Sequence, residues 1–327
     1  MEREYKWVVI GVGAIANDMG STLQRMGTKM FGVANRTFSK AVDYAEKYGI
    51  EKVYERIEDV FEDEAVDIVY VATPHNFHYE YIKKALEHGK HVLAEKAITL
   101  NSRELDELCR LAREKKLVLA EAMTIWHMPL YKNLFSRLKK GEFGKVQMIT
   151  MNFGSFKEYD MTNRFFNLDL AGGAMLDIGV YALSIVRGFM SQTPDEIISL
   201  WKPSPTGSDE QSAIALKNPA GEMATVALTM HSKQPKRAMI SCEKAYIEIM
   251  EYPRAGKALI VDAESGAEEE ISLGEKSQAL YYEVCDMEEA IRTQNAEVMM
   301  LEESHDVMDI MTKLRKDWNM KYPGEIW

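Results

Sequence analysis

Lys96, Asp177 and Tyr181 are the side chains whose types and positions best suit proton transfer. Lys96 follows Glu95 at the end of an apolar run that is typical of a strand. A lysine buried there could have a lowered pKa and act as a general base, or it could hydrogen-bond a substrate hydroxyl. Asp177 and Tyr181 are four residues apart, so on a helix they project from one face. Their apolar neighbours predict that this face looks inward, where an acid and a phenol need a partner or a substrate.

Each of these three side chains also has a structural explanation that the sequence leaves open. Lys96 could be a solvated surface charge. Asp177 could cap or brace its helix, and Tyr181 could be a core residue whose hydroxyl is satisfied.

Three histidines are further candidates. His75 and His78 stand three apart at a predicted helix start beside a sheet edge, which suits contact with a cofactor or substrate. No cysteine or carboxylate cluster accompanies them, so we predict no metal site. His127 could line the substrate cleft.

The first thirty residues must position this chemistry. The apolar run Trp7 to Ile10 predicts a buried strand, and Gly-x-Gly-x-x-Ala follows it at the start of an amphipathic helix. In a dinucleotide-binding turn, the first glycine allows the bend and the second lets the backbone approach a pyrophosphate at the helix N-terminus. The residues predicted to contact a dinucleotide here are Gly11, Gly13, Ala14 and Ile15. The open alternative is a tight βα turn without a ligand.

The end of the second predicted strand indicates which dinucleotide is bound. An NAD-binding unit places a carboxylate there for the ribose 2′-hydroxyl, whereas this chain has Asn35 and Arg36, with Ser39 and Lys40 close behind. A guanidinium can pair with a 2′-phosphate that a carboxylate would repel. The sequence therefore favours NADP(H) over NAD(H), unless Arg36 is only a surface charge.

Strands and helices alternate up to about residue 122, which predicts a Rossmann-type doubly wound parallel sheet. Ligands of such sheets bind beyond the carboxyl ends of the strands. The candidates at these ends are Gly11, Asn35, the run Thr73, Pro74, His75 and Asn76 with His78, then Glu95 with Lys96, and Glu121. We expect a dinucleotide-binding domain over residues 1–122. Residues 123–327 show period-two strands with a few helices, which predicts an α+β domain with an open, largely antiparallel sheet.

The composition of the chain limits the classes of protein to which it can belong. The chain has 327 residues and a net charge of −11, which opposes nucleic acid as a partner. No stretch approaches the ~20 apolar residues of a membrane span, and the N-terminal Met1-Glu2-Arg3-Glu4 lacks the features of a signal peptide. Three cysteines far apart in the sequence suit reduced thiols, so we expect a cytoplasmic protein without membrane contact.

Four segments of the chain, taken together, carry a family resemblance. They are Gly11-Val12-Gly13-Ala14-Ile15-Ala16, Ala72-Thr73-Pro74-His75-Asn76-Phe77-His78, Gly89-Lys90-His91-Val92-Leu93-Ala94-Glu95-Lys96 and Asp177-Ile178-Gly179-Val180-Tyr181. In order and spacing they resemble the Gfo/Idh/MocA family, that of glucose–fructose oxidoreductase and inositol dehydrogenase, over essentially the whole chain. Glu121-Ala122-Met123 is similar to the branch that contains dimeric dihydrodiol dehydrogenase and NADP-dependent xylose dehydrogenase.

The resemblance implies roles for the candidate residues. Lys96 would hold and help deprotonate the substrate hydroxyl, Asp177 and Tyr181 would complete the polar site, and Tyr181 would be the acid/base of this branch. It also implies a homodimer or homotetramer formed through the outer face of the C-terminal sheet. Ala97 stands where the family has proline, so no ring fixes the turn after the lysine.

The predicted function is an NADP(H)-dependent oxidoreductase. It would transfer hydride between the nicotinamide and a CH–OH group of a sugar, cyclitol or dihydrodiol. One alternative is an NAD-dependent glycoside hydrolase of the same family, which the missing acid after the second strand disfavours. A non-catalytic NADP-binding regulator is the other, and the presence of Lys96 and Tyr181 argues against it. The sequence leaves the substrate, the direction and the oligomer size open.

Overall fold

The computed structural model describes residues 4–327 and divides into two compact units. Unit 1 contains the described residues up to Thr99, then Arg103–Met123 and Leu280–Leu301. Unit 2 contains Leu100–Ser102, Thr124–Ala279 and Glu302–Trp327. Residues 1–3, on which the expectation about a signal peptide partly rests, lie outside the described residues.

Strands and helices are numbered here in chain order. The strands are β1 (Trp7–Ile10), β2 (Gly32–Ala34), β3 (Lys52–Tyr54), β4 (Ile68–Val71), β5 (His91–Glu95), β6 (Leu119–Ala122), β7 (Val146–Gly154), β8 (Glu196–Pro203), β9 (Asp209–Lys217), β10 (Met223–Thr229), β11 (Gln234–Cys242), β12 (Ala245–Met250), β13 (Lys257–Asp262) and β14 (Glu268–Ser272). The helices are α1 (Ala14–Arg25), α2 (Phe38–Tyr48), α3 (Ile57–Glu62), α4 (His78–Glu87), α5 (Ser102–Lys115), α6 (Thr124–His127), α7 (Pro129–Lys139), α8 (Val180–Phe189), α9 (Ala279–Thr293) and α10 (Leu301–Asp317).

Unit 1 is built on a six-stranded sheet in the order β3-β2-β1-β4-β5-β6, and every pair in it is parallel. Its central strands are buried on both faces: Val8, Val9 and Ile10 of β1 have no exposed surface. Such strands are expected where helices cover both sides of a parallel sheet. The predicted doubly wound sheet is confirmed.

Helix α9 belongs mostly to unit 1, although it follows the second sheet in the chain. Leu280, Val284 and Met287 share one apolar cluster with Trp7 and other residues of the first sheet. The Trp7 indole also donates a hydrogen bond to Glu288 Oε1 at 2.8 Å. Unit 1 therefore differs from the predicted domain of residues 1–122, because it also contains most of α9. An apolar stripe indicates that a helix is buried, but not against which sheet the helix packs.

Unit 2 is built on an eight-stranded sheet in the order β14-β13-β12-β11-β7-β10-β9-β8. β7 and β10 run parallel, and the other neighbouring pairs are antiparallel. This confirms the largely antiparallel α+β domain. The acidic run Glu268–Glu270 lies in the edge strand β14, where charges discourage pairing with another chain.

Helix α8 packs on one face of this sheet. A five-residue π-helical turn, Met175–Gly179, leads into it. A Cβ on Gly179 would lie 2.9 Å from Leu228 Cδ1 of β10 and 2.9 Å from Met175 Sδ, so the glycine allows the turn to pack closely against the sheet.

One helical segment of the described chain, Leu168–Phe189, is long and apolar enough to cross a membrane by length and composition alone. The prediction that no stretch approaches the length of a membrane span is therefore wrong for this segment. Its three charged residues, Asp169, Asp177 and Arg187, are too few to lower the hydropathy of the segment. Of its most apolar window, 78% is buried within the protein, as expected of a core helix.

Candidate active site

The Gly11–Gly13 turn has the form of a phosphate cradle. Gly11 has a φ of +97°, and a Cβ there would lie 2.5 Å from the carbonyl oxygen of Ala72. Gly13 is exposed, and a Cβ there would meet nothing within 4 Å. α1 has no side-chain cap, and its first hydrogen bond runs from Asn17 N to Gly13 O. The amides of Ala14 and Ile15 therefore have no partner within the helix, which suits an anion.

Thr73 supplies a second sign of a ligand at this edge. It follows β4, which neighbours β1 in the sheet. Its Oγ1 is buried and has no hydrogen-bond partner among residues 4–327, which is costly unless a ligand or water supplies one. Pro74 and Asn76, also predicted to contact the cofactor, are exposed just after it. These residues fit a pyrophosphate-bearing cofactor.

The end of β2 presents cations and a helix N-terminus. Asn35 holds the turn, since its Nδ2 donates to Thr37 O at 2.9 Å. α2 then begins with no side-chain cap and no acidic residue in its first turn. Arg36 and Lys40 are exposed beside it. This arrangement attracts an anion, and a ribose 2′-phosphate is the anion an NADP-binding unit would place here.

Phe77 lies in one of the four family segments, but the sequence did not predict it as a cofactor-binding residue. The Arg36 guanidinium carbon lies 5.8 Å from the centroid of its ring. A planar cation beside an aromatic ring suits an adenine, which can stack on either. Its position shortly after β4, at the ligand-binding edge of the sheet, could have indicated this role.

Lys96 begins a tight turn at the carboxyl end of β5 and is partly exposed. Glu95 before it is only 5% exposed and accepts a hydrogen bond from the Tyr70 hydroxyl at 2.5 Å. Burial, and next the Glu95 carboxylate, raise the pKa of Tyr70 well above its ordinary value, so the phenol keeps its proton. Glu95 thus braces the sheet interior beside the lysine.

The two predicted histidines surround this turn. His75 Nε2 lies 3.0 Å from Lys96 O, and His78 Nδ1 lies 3.1 Å from Ala97 O. His78 Nε2 is 2.8 Å from Thr73 O. His78 is fully buried, and burial lowers its pKa. Because both of its ring nitrogens face protein carbonyls, His78 differs from the predicted cofactor contact and instead joins two loops.

Asp177 and Tyr181 lie in unit 2, on the π-helical turn and α8. Between residues 171 and 186 they are the two positions that are not buried. The expectation that this face looks inward holds for the buried apolar neighbours, while Asp177, whose side chain is 14% exposed, and Tyr181 are half-buried. Arg164 Nη1 lies 3.9 Å from Asp177 Oδ1, and the Tyr181 ring lies 6.4 Å from that of Phe153.

Asp209 anchors the start of this helical segment, and sequence reasoning missed it. Its Oδ2 accepts a hydrogen bond from Met175 N at 2.6 Å. The residue is fully buried at the start of β9, and burial raises the pKa of its carboxyl to about 7. It is far from the helix in sequence, so no local capping pattern reveals it.

His127 and a second histidine cluster complete the candidates. His127 ends α6 and is 1% exposed, so its contact with substrate stays a prediction. His305, Asp306 and Asp309 place one potential metal ligand each within 4.8 Å of one another. Asp306 already accepts a hydrogen bond from Arg187 Nε at 2.6 Å, and that cation opposes a metal ion.

Comparison with known proteins gives the family. Residues 5–123 match a family model described as "Oxidoreductase family, NAD-binding Rossmann fold". Residues 131–248 match the "GFO/IDH/MocA C-terminal domain". The chain belongs to the Gfo/Idh/MocA family of oxidoreductases.

Individual relatives of this family are similar over most of the chain. A trans-1,2-dihydrobenzene-1,2-diol dehydrogenase of Xenopus laevis is 30% identical over 261 residues, covering 79% of this chain and 78% of the relative. The enzyme of that name from Mus musculus is 27% identical over 98% of both chains. A 3-ketoreductase from Actinomadura kijaniata, solved with NADP and TDP-benzene, superposes with a TM-score of 0.84 at 22% identity, over 96% of this chain and 98% of that chain. The last similarity concerns the fold.

Proposed function

We propose that this protein is an NADP(H)-dependent oxidoreductase that transfers hydride between the nicotinamide and a CH–OH group of a sugar, cyclitol or dihydrodiol. The observation that carries the choice of cofactor is the end of β2. There Arg36 and Lys40 flank a helix N-terminus that has no acidic residue in its first turn. A carboxylate for a free 2′-hydroxyl is missing, and the groups that bind a 2′-phosphate are present.

When bound, NADP supplies the hydride acceptor or donor. The chain must then hold the cofactor and move the hydroxyl proton. Gly11, Gly13 and the amides at the start of α1 would hold the pyrophosphate. Thr73 offers its unpartnered hydroxyl at the neighbouring strand end.

Lys96 is the first proton-handling group of this proposal. It follows β5, next to β4 in the sheet, and so stands at the same edge as Thr73. An ammonium there can donate to the substrate oxygen, and a neutral amine can accept its proton.

Tyr181 is the second proton-handling group, with Asp177 beside it. Both keep access to solvent on an otherwise buried helical segment. Arg164 Nη1 lies 3.9 Å from Asp177 Oδ1. A carboxylate one helical turn from a phenol can orient a polyol by accepting hydrogen bonds from its hydroxyls.

The substrate classes share one chemical feature, a secondary alcohol beside a second hydroxyl. The curated relatives named above act on a dihydrodiol, and the structural neighbour is a ketoreductase. We place the substrate of this chain in the same broad group.

Cofactor preference tests this proposal. We expect wild-type protein to oxidise at least one member of a panel of aldoses, inositols and dihydrodiols with NADP, at a higher kcat/KM than with NAD. Arg36→Ala should lower the preference for NADP about tenfold or more, because a bidentate charged contact is lost. Lys29→Ala, a surface cation of unit 1 paired with Glu51, is the control. An unchanged preference in Arg36→Ala would remove the cofactor argument.

We also propose a homodimer or homotetramer, formed through the face of the second sheet that points away from α8. On β8 of this face, Ile198 and Leu200 are 75% and 79% exposed. Leu200 pairs with Ala213, and Ala213 pairs with Ala227, so small apolar side chains continue the row into β10. A contiguous exposed apolar surface is typical of an interface, and a second copy would meet it with the same residues.

A cytoplasmic location is the remaining proposal. Among the described residues, Cys109, Cys242 and Cys285 form no disulfide. Reduced cysteines suit a reducing compartment.

A further inference from the structure

The turn after Lys96 has no stiffening residue of its own. Residue 97 is an alanine and not a proline, so no ring restricts the backbone after Lys96. Nevertheless Ala97 and Ile98 have no exposed surface. Their backbone polar groups must therefore be hydrogen-bonded by other parts of the protein.

Side chains from both sides of β5 contact these groups. From the segment that follows β4, His75 Nε2 lies 3.0 Å from Lys96 O, and His78 Nδ1, at the start of α4, lies 3.1 Å from Ala97 O. From β6, Glu121 Oε1 accepts the Ile98 amide at 3.0 Å. Since β4 and β6 flank β5 in the sheet, the turn is held from both sides.

We propose that His78, assisted by His75 and Glu121, is a positioning residue that holds the Lys96–Ile98 turn in its working conformation. The proposal rests on the proposed function of Lys96. A side chain that handles a proton must stay within hydrogen-bond reach of the substrate oxygen, so a loose turn would cost turnover.

His78 is the central member because it links two loops. Its Nε2 lies 2.8 Å from Thr73 O at the end of β4, while Nδ1 faces Ala97 O after β5. It has no exposed surface, so water cannot replace these contacts. A neutral imidazole carries one N–H, and the proposal assigns that proton to Nδ1, which then donates to Ala97 O. His75 is partly exposed and makes one of these contacts, so its removal should have a smaller effect.

Two substitutions separate the two contacts of His78. The amide nitrogen of Asn stands near the place of Nδ1, and that of Gln near the place of Nε2. We expect His78→Ala to lower kcat about a hundredfold with little change in the dissociation constant for NADPH. His78→Asn, which keeps a donor toward Ala97 O, should recover more of kcat than His78→Gln. Equal or reversed rescue would overturn the assignment.

The matched control is His88, which lies just beyond the other end of α4. Its Nδ1 is 2.7 Å from the carbonyl oxygen of Lys84, so it also contacts a backbone oxygen, but it is exposed and that oxygen lies within α4 rather than in the Lys96–Ile98 turn. His88→Ala should keep the wild-type kcat. A loss as large as that of His78→Ala would show that the effect is general.

Amide hydrogen exchange in the protein without cofactor gives a readout that needs no turnover. Exchange at Ile98 should rise in His78→Ala and stay unchanged in His88→Ala. A loss of kcat without faster exchange at Ile98, or faster exchange without a loss of kcat, would overturn the proposal. If His78→Ala does not fold, His75→Ala is measured in the same way, with smaller changes of the same sign expected.

The two proposals fail in different ways. Wild-type protein that turns over no member of the substrate panel would refute the proposed function. Exchange at Ile98 would still report whether His78 holds the turn.

Discussion

At the scale of single residues, Asp209 is a fully buried carboxyl that forms a hydrogen bond with a backbone amide. It accepts the Met175 amide at the start of the segment that carries Asp177 and Tyr181. Its other oxygen, Oδ1, is buried and has no hydrogen-bond partner in the part of the chain that the structure describes. Burial raises the pKa of the carboxyl from 3.8 to about 7, although the Met175 amide and Arg315 oppose the rise. The folded state therefore favours the protonated form near neutral pH.

This shift makes stability depend on pH. A carboxyl whose pKa is raised by folding contributes stability below its unfolded pKa and loses it as pH rises through the folded value. For Asp209 the window runs from about pH 4 to about pH 7. Asp209→Asn keeps an acceptor for Met175 but has no charge to bury.

We therefore expect wild-type protein to lose stability relative to Asp209→Asn across this window, by up to roughly 4 kcal/mol. Urea unfolding of both proteins between pH 4 and pH 8 measures the difference. Parallel stability curves would contradict the raised pKa.

At the scale of elements, the turn between β1 and α1 contains two glycines with different roles. Gly11 is required by the fold, because its φ is positive and a Cβ would press against Ala72. Gly13 has an ordinary φ of −70° and open space around it. Its lack of a side chain has no explanation within the protein, whereas a pyrophosphate lying against it explains the glycine.

Alanine at each position separates these roles. Gly13→Ala should keep the wild-type melting temperature and weaken NADPH binding about tenfold or more, because the methyl group would occupy the pyrophosphate's space. Gly11→Ala should lose more than about 1 kcal/mol of stability, because an L-residue is strained there. Thermal unfolding and NADPH titration measure both effects. Unchanged NADPH affinity in Gly13→Ala would contradict the cradle.

Elements whose signals are local could be predicted from the sequence. The strand, glycine turn and helix at the N-terminus follow from neighbouring residues, as does the parallel sheet, because its strands alternate with helices at regular spacing. The residues expected to contact the ribose directly follow β2 in the sequence. The absence of a carboxylate there could therefore be predicted from the sequence alone.

Features that depend on distant parts of the chain could not be predicted. The return of α9 to the first unit is decided by packing with Trp7, far away in sequence. Two side-chain contacts also join separate elements. Asp209 accepts a hydrogen bond from the Met175 amide, and His78 Nδ1 contacts Ala97 O. The partial exposure of Asp177 and Tyr181 was not predicted, because apolar neighbours indicate that a helix is buried, not which of its positions keep some exposed surface.

At the scale of the whole molecule, the exposed row on the second sheet leads to a prediction about assembly. We expect Ile198→Glu with Leu200→Glu to convert the oligomer to a smaller species, since like charges would meet in the interface. Ile326→Glu is the control, because Ile326 is 63% exposed and lies outside the sheet. Sedimentation velocity measures the mass of each. A wild-type monomer, or an oligomer unaffected by the double variant, would contradict this interface.

The central claim for the whole molecule is that Lys96 handles the substrate proton in an NADP-dependent hydride transfer. Its most direct test compares wild-type protein and Lys96→Met for nicotinamide absorbance change with the best substrate of the panel, and for NADPH binding by titration. The account predicts turnover by wild-type protein and a loss of kcat of about a hundredfold or more in Lys96→Met, with NADPH binding retained. Turnover of Lys96→Met at the wild-type rate would contradict it.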